Sequence, residues 1–253
     1  MLGSDEVNKH MFYISYRDDT VWFNCAHSIC GGFGVMFWVK ATLYQYMRRI
    51  TKEIRYVFYT NLILLILEII ALIHDVYAFR FGLFEWYTVD SNVLQLLVSG
   101  ILVCCLLQDK PLPKFVTVMH FISAVGLTVT FLIAAFVLAP EGGIAYYFLS
   151  DVAPINHFIG PLLSVISLLF LERTEKLPLR IILWPTVASL SYGIVTLILN
   201  ALKIMDGPYF FLQVYEQSAG VIITWFGIIA ALCLGLSFLY YKIKWRFDLR
   251  GDL

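Results

Sequence analysis

Residues 87–107, YTVDSNVLQLLVSGILVCCLL, place a cluster of polar side chains at the head of a long apolar run. A helix that spans the hydrocarbon core of a bilayer needs about 20 mostly apolar residues, and this stretch is long enough. Five further apolar stretches lie at 57–79, 115–138, 153–171, 181–202 and 219–241. Their connectors are short and rich in turn residues, which is typical of antiparallel neighbours. The sequence therefore predicts an all-α fold, a polytopic bundle of six transmembrane helices.

The overall composition supports a membrane protein. The chain is 60% hydrophobic and 14% charged, whereas soluble domains are about 45–50% apolar and roughly 25% charged. A formal net charge of zero and the lack of a Lys/Arg-rich block argue against a nucleic-acid partner. No zinc signature, phosphate-binding glycine loop or nucleotide fingerprint is present, so no cofactor and no metal are expected. Cys104, Cys105 and Cys233 lie within apolar runs, where cysteine acts as a small hydrophobic residue.

The chain divides into three segments. Residues 51–246 form the predicted six-helix transmembrane domain, and residues 247–253 a cytoplasmic tail. Residues 1–50 are an N-terminal segment of a different character, in which 20–39 is apolar but interrupted by polar residues and three glycines. This stretch could be an amphipathic or re-entrant element or a weak seventh span, and we favour the former two. A start at Met47 is a third interpretation, because MRRITKEIRYVFY resembles an opening before a first span.

The distribution of Lys and Arg predicts the orientation, because cytoplasmic loops carry an excess of both residues. The segments expected on one side hold thirteen of them: Arg48, Arg49, Lys52, Arg55, Lys110, Lys114, Arg173, Lys176, Arg180, Lys242, Lys244, Arg246 and Arg250. The three loops on the other side hold only Arg80 and Lys203. Both ends of the six-helix core are therefore expected to face the cytoplasm.

Most polar residues of the apolar stretches are predicted to lie at one level, near the outer side of the membrane. They are His74, Asp75, Thr88, Asp90, Ser91, Asn92, Asn156, His157, Asn200 and Glu216. An ionisable side chain at membrane depth costs about 2.5–3.5 kcal/mol even on the insertion scale, so such residues tend to face the bundle interior. This layer predicts a polar pocket open to the outer leaflet. Glu68 and His120 are placed deeper, Glu68 as a partner of His120 or as a structural hydrogen-bonding group.

Two local features have competing interpretations. Thr88 or Asp90 could act as an N-cap, and the Thr88–Asn92 group could join helices by hydrogen bonds. His157 lies a full turn inside its span and is followed four residues later by Pro161. Proline has no N–H, so the carbonyl of His157 loses its helical partner and a kink is expected there. Free backbone polarity beside an imidazole favours a functional site.

The pair YTVDSN and NHFIGPLL, about 65 residues apart, resembles a known signature. Six-span membrane proteins with a T-x-x-S-N and an H-x-x-x-P-L motif carry it, and they are bacterial relatives of the androgen-induced and androgen-dependent membrane threonine hydrolases. LPLRIILWPTVASLSYGIVTLILN followed by GPYFFL fits the same group, and the resemblance covers about residues 50–245. By this resemblance, Thr88 and His157 would be a hydrolytic pair that cleaves fatty-acyl esters.

The chemistry of such a pair is reasonable, because a neutral imidazole can remove the proton of a threonine hydroxyl. Asp75, Asp90 or Asn156 could orient the imidazole, and Asn92 could donate to an oxyanion. The predicted function is thus a lipid-active hydrolase or acyltransferase whose partners are the bilayer and a fatty-acyl substrate. The alternatives are a small transporter or channel-like protein, suggested by Glu68, His74 and Asp75 in one span, and a non-catalytic membrane scaffold.

Overall fold

A computed structural model of the chain describes residues 51–248, and within this range all regular structure is helical. The long helices are α1 (Lys52–Phe79), α2 (Tyr87–Leu107) and α3 (Lys114–Ile133), then α7 (Leu183–Ala201) and α8 (Ala219–Asp248). Between α3 and α7 lie α4 (Ala139–Gly142), α5 (Ile144–Phe148) and α6 (Gly160–Ile166). The predictions for residues 1–50, and most of those for the tail, fall outside the described residues.

Five helices are long and apolar enough to cross a membrane: Lys52–Phe79, Tyr87–Leu107, Lys114–Gly142, Leu179–Ala201 and Ala219–Arg246. They match five of the six apolar stretches, and Tyr87–Leu107 begins and ends where the sequence predicts. The remaining stretch, predicted at 153–171, forms a shorter apolar helix over Ile155–Leu171. An all-helical, multi-pass membrane protein follows from these helices and the composition.

The helix Ile155–Leu171, called the broken helix below, is irregular at both ends. It consists of a π-helical turn over Ile155–Ile159, then α6, then a second π-helical turn over Ser167–Leu171. Just before Pro161, where the sequence predicts a kink, the chain forms a wide π-helical turn in which the Gly160 N–H donates to the Ile155 carbonyl. A missing N–H at Pro161 favours such a turn, and π-turns frequently occur at functional sites.

The helices pack around α3. In an apolar stretch of 18 residues taken from each helix, 50% of the stretch is buried inside the protein for Lys114–Gly142, against 22% for α1 and 11% for α8. Large apolar side chains on the outer faces of α1 and α8 are exposed, among them Ile66, Ile73 and Ile223. This distribution is expected of helices that would face lipid tails rather than water.

A network of polar side chains fills the centre of the bundle. The Oε1 atom of Gln95 on α2 accepts hydrogen bonds from Ser123 on α3 and Ser164 on the broken helix, both at 2.7 Å. Its Nε2 atom donates to Ser99 at 3.0 Å. Ser99 in turn donates to Asn61 on α1, which connects four helices through side chains alone.

The same network ends in a buried ionic cluster. Nδ2 of Asn61 donates to Ser167 at 2.7 Å, and Ser167 donates to Oε1 of Glu172 at 2.6 Å. His120 lies 2.9 Å from the Glu172 carboxylate, and Nζ of Lys244 donates to the carbonyls of Leu168 and Glu172. The expected pairing of Glu68 with His120 is therefore wrong, because Glu172 occupies that position.

Opposing effects act on the Glu172 carboxyl, which lies one residue beyond the broken helix. Burial raises its pKa, but His120, Lys244 and the Ser167 hydroxyl favour the carboxylate and together lower the pKa to about 2. An ordinary glutamate has a pKa of about 4.3. Glu172 therefore stabilises the fold fully above that ordinary value, and the stabilisation is lost as the pH falls toward 2.

We expect Glu172→Gln to lower the free energy of unfolding by about 3 kcal/mol, because it removes a buried carboxylate that faces Lys244 and His120 and accepts from Ser167. Thermal unfolding in detergent micelles measures the effect. The stability of the wild type should fall between pH 4.5 and 2, and the stability of the variant should fall less over the same range. Glu175→Gln is the matched control. Glu175 pairs with Lys114 at an exposed site, where solvent screens the charges, so its loss should change the stability little. Equal losses in the two variants would contradict the role given to Glu172.

Candidate functional site

Two cavities meet at one end of the bundle. A polar lobe of about 250 Å³ is lined by His74, Asp75, Tyr147, Ser150 and Asn156 among others. A smaller, apolar lobe of about 50 Å³ is lined by residues such as Val129, Ile133, Leu190 and Phe226. Four residues line both lobes: Thr88, Leu138, His157 and Tyr209. The junction of a polar and an apolar space thus carries a hydroxyl, an imidazole and a phenol.

Thr88 reaches this junction from the first turn of α2. The N-cap of α2 is Trp86, which makes no side-chain capping hydrogen bond, so the N-cap interpretation of Thr88 and Asp90 is wrong. The Thr88 carbonyl accepts hydrogen bonds from Ser91 at 3.0 Å and Asn92 at 2.8 Å. Ser91 and Asn92 therefore stabilise the first turn of α2, and the Thr88 side chain faces the two lobes.

His157 reaches the junction from the first π-helical turn of the broken helix. Its ring packs edge-on against Tyr147 and Phe148 with centroid separations of 6.1 and 6.0 Å. Asp75 is close enough to act on the ring electrostatically. Within the described part of the chain, Nδ1 of His157 is buried and has no hydrogen-bond partner. No hydrogen bond joins Thr88 and His157 there, although both line the same two lobes.

Tyr209 was missed by the sequence analysis and lies in the connector between α7 and α8. Its hydroxyl approaches the side chain and backbone of Thr88, and burial raises the pKa of the phenol to about 12. Tyr209 is therefore protonated at neutral pH and able to donate a hydrogen bond. Its ring packs edge-on against Trp86 and stacks on Phe211. The motif GPYFFL was the only signal for it, and nothing in that motif indicates which aromatic residue turns inward.

Asn200 holds the connector that carries Tyr209. Its Nδ2 donates to the Met205 carbonyl at 3.1 Å, and its Oδ1 accepts from the Val214 N–H at 2.8 Å. These two bonds clamp both ends of the loop to the last turn of α7. Asn200 therefore positions the loop and does not line either lobe.

The predicted supporting residues are only partly in the expected positions. Nδ2 of Asn156 donates to Asp75 at 3.2 Å, and His74 lies 3.3 Å from the other Asp75 oxygen. Asp75 and Asn156 thus bind each other beside His157. Nδ2 of Asn92 is occupied by the carbonyls of Thr88 and Asn156, which argues against its predicted role as an oxyanion donor. Asp90 is half-buried near the Tyr209 ring and does not line the two lobes.

The other predicted polar residues separate by depth. Glu68 and His120 are fully buried, His120 within the central network. His74 is only half-buried, and Glu216 is exposed, so the expectation that both are buried polar groups is wrong. Of the polar residues predicted to share one level, Asp75, Thr88, Asn156 and His157 line the polar lobe, and the half-buried His74 lies at its edge.

Comparisons with protein-family models, curated proteins and solved structures gave no match.

At Gly160 the broken helix packs closely against α1. A methyl group at this position would lie 2.8 Å from Oε1 of Glu68 and 2.8 Å from the Ile155 carbonyl oxygen, and backbone cannot move aside easily. We expect Gly160→Ala to lower the free energy of unfolding by about 1–3 kcal/mol, as overpacking does. Thermal unfolding measures the change. Gly227→Ala is the control, because open space surrounds Gly227 and alanine favours a helix there. A Gly160→Ala protein as stable as the wild type would contradict this packing.

Proposed function

We propose that the protein is a lipid-active hydrolase that cleaves fatty-acyl esters with Thr88 and His157. In this proposal the broken helix acts as a sixth span, both ends of the core face the cytoplasm, and the site opens toward the outer leaflet of a bacterial plasma membrane. The observation that carries the proposal is the shared lining of Thr88, His157 and Tyr209 at the junction of the polar and apolar lobes.

The two lobes suit the two parts of an ester. The polar lobe, beside Asp75 and Ser150, would receive the alcohol or headgroup portion. The apolar lobe, beside Ile133, Leu190 and Phe226, would receive the start of the acyl chain. The scissile carbonyl would then lie at the junction, within reach of the three shared polar side chains. Ligand sites commonly combine an apolar lining with a few convergent polar groups in this way.

The reaction begins with transfer of the Thr88 proton to Nδ1 or Nε2 of His157 as the hydroxyl oxygen attacks the ester carbonyl. For this step the Thr88 hydroxyl turns from Tyr209 toward the imidazole. The carbonyl oxygen becomes an oxyanion, and the released Tyr209 hydroxyl donates to it. Collapse breaks the ester C–O bond, His157 protonates the leaving alcohol, and the acyl group stays on Thr88. Water, deprotonated by His157, then cleaves the acyl-enzyme and restores both residues.

Asp75 and Asn156 support the base in this scheme. Asp75 lies near the ring, and its negative charge stabilises the imidazolium that forms during attack. The hydrogen bond from Asn156 fixes one Asp75 oxygen at 3.2 Å, so the charge is held in place. Tyr147 and Phe148 restrict the ring on its other faces.

A fluorophosphonate probe and a fluorogenic fatty-acyl ester test the proposal on the purified chain in detergent. We expect the wild type to be labelled and active, and Thr88→Ala and His157→Ala to lose at least about 100-fold in each assay because both act in one step. Thr88→Ser should retain activity. Thr224→Ala, an exposed threonine on α8, is the control. A folded wild type that is neither labelled nor active in several detergents would falsify the proposal.

Tyr209→Phe tests the oxyanion role separately. Loss of one such donor typically lowers kcat by about 10²–10³-fold, and we expect a drop of that order with little change in KM. Tyr215→Phe is the matched control, since Tyr215 lies in the same connector and its exposed hydroxyl donates to the Ala201 carbonyl. An effect on KM alone would instead assign Tyr209 to substrate binding.

A further inference from the structure

Several buried oxygen atoms lie below the site without any hydrogen donor. Both carboxylate oxygens of Glu68, Oδ1 of Asn92 and Oδ1 of Asn156 are buried and have no hydrogen-bond partner among residues 51–248. The three side chains come from α1, α2 and the broken helix, and each is at most 6% exposed. Buried polar atoms of native proteins are nearly always satisfied, so this group requires an explanation.

The orientation of the two amides is fixed by their nitrogen atoms. Nδ2 of Asn92 donates to the carbonyls of Thr88 and Asn156, and Nδ2 of Asn156 donates to the Asp75 carboxylate. Exchanging oxygen and nitrogen in either amide would place two acceptors against each other. The amide groups therefore present oxygen, and not N–H, to the unsatisfied group.

Distances from Gly160 show how closely oxygen atoms of the three helices approach one another. Its missing side chain marks a point 2.8 Å from Oε1 of Glu68, 2.8 Å from the Ile155 carbonyl oxygen and 3.5 Å from Oδ1 of Asn92. Asn156 lies one turn before Gly160 on the broken helix. Oxygen atoms from α1, α2 and the broken helix thus lie within 3.5 Å of the point that a methyl group at position 160 would occupy.

A proton on Glu68 would satisfy at most one of the neighbouring amide oxygens, whereas a metal cation accepts several oxygen ligands at once. A cation also offsets the buried negative charge, and Asp75 adds to that charge two turns further along α1. Beside Asp75, the titratable groups are His74 and His157. Calcium needs six to eight oxygen ligands, usually with several carboxylates. Within residues 51–248 no three His, Cys, Asp or Glu side chains form a metal-binding group.

We propose that Glu68, Asn92 and Asn156, with the Ile155 carbonyl, bind a sodium ion. One carboxylate matches one positive charge, and the neutral oxygens complete the coordination. Backbone carbonyls at breaks in transmembrane helices coordinate Na⁺ in this manner, and Ile155 opens such a break. The site ties α1 and α2 to the broken helix directly beneath Thr88 and His157. It does not depend on the hydrolytic chemistry proposed above.

Sodium-dependent stability of the full chain in detergent tests this site. We expect the melting temperature to rise by roughly 5 °C when NaCl replaces choline chloride at constant ionic strength, because a ligand that binds only the folded state stabilises it. KCl should give a smaller rise. Glu68→Gln should abolish the response to Na⁺, and Glu141→Gln, the same change at an exposed glutamate, should retain it.

Equilibrium binding of radioactive Na⁺ provides the second measurement, with binding expected for the wild type and lost in Glu68→Gln. If the melting temperature rises on acidification but does not change when Na⁺ is added, Glu68 holds a proton and the sodium site would be rejected. A sodium response that survives in Glu68→Gln would reject it as well. Because these readouts need no substrate, a sodium response in a chain without esterase activity would overturn only the proposed hydrolase.

Discussion

The hydrogen-bond network centred on Gln95 is the constraint on which the bundle depends. Lipid tails are as apolar as leucine, so burial of apolar surface provides little force for helix association within a bilayer. Gln95 instead joins α2 to α3 and the broken helix through Ser123 and Ser164, and Asn61 extends the contact to α1. Each bond is satisfied only in one register, since a shift of any helix would leave a donor or acceptor unpaired in a medium without water. The network therefore fixes the relative heights of the helices, and with them the heights of Thr88 and His157.

The broken helix positions the residues of the candidate site within this fixed register. Pro161 removes one backbone donor and Gly160 removes a side chain, so the chain can widen at Ile155–Ile159 and still approach α1. The wide turn brings His157 to the junction of the lobes while Asn156, one residue earlier, reaches Asp75. In a regular α-helix adjacent residues point about 100° apart, and the π-turn changes that relation.

Hydropathy was sufficient to predict the five long helices, because a membrane span is a property of a continuous stretch. The limits of α2 followed from local sequence alone. The partners of buried polar residues did not, since they depend on how distant helices face one another. Glu172 and Lys244 looked like ordinary charges at helix ends, yet they close the network around His120. Tyr209 lies in a connector with other aromatic residues, and the Asn200 hydrogen bonds and the packing of the ring on Trp86 and Phe211 hold it beside Thr88.

How deeply each polar group is buried depends on the hydrogen-bond and charge partners that it has within the protein. The ionic cluster of Glu172 is complete within the protein, so it can lie fully buried and act as the rigid base of the bundle. Among residues 51–248, Nδ1 of His157 and the side-chain oxygens Oε1 and Oε2 of Glu68 and Oδ1 of Asn92 and Asn156 are buried without a hydrogen-bond partner. A buried polar atom that lacks a partner raises the free energy of the folded state. A fold held by the central network can retain such atoms. Asn92 donates to the Thr88 carbonyl and Asn156 adjoins His157, which is the physical reason to seek a ligand beside these residues.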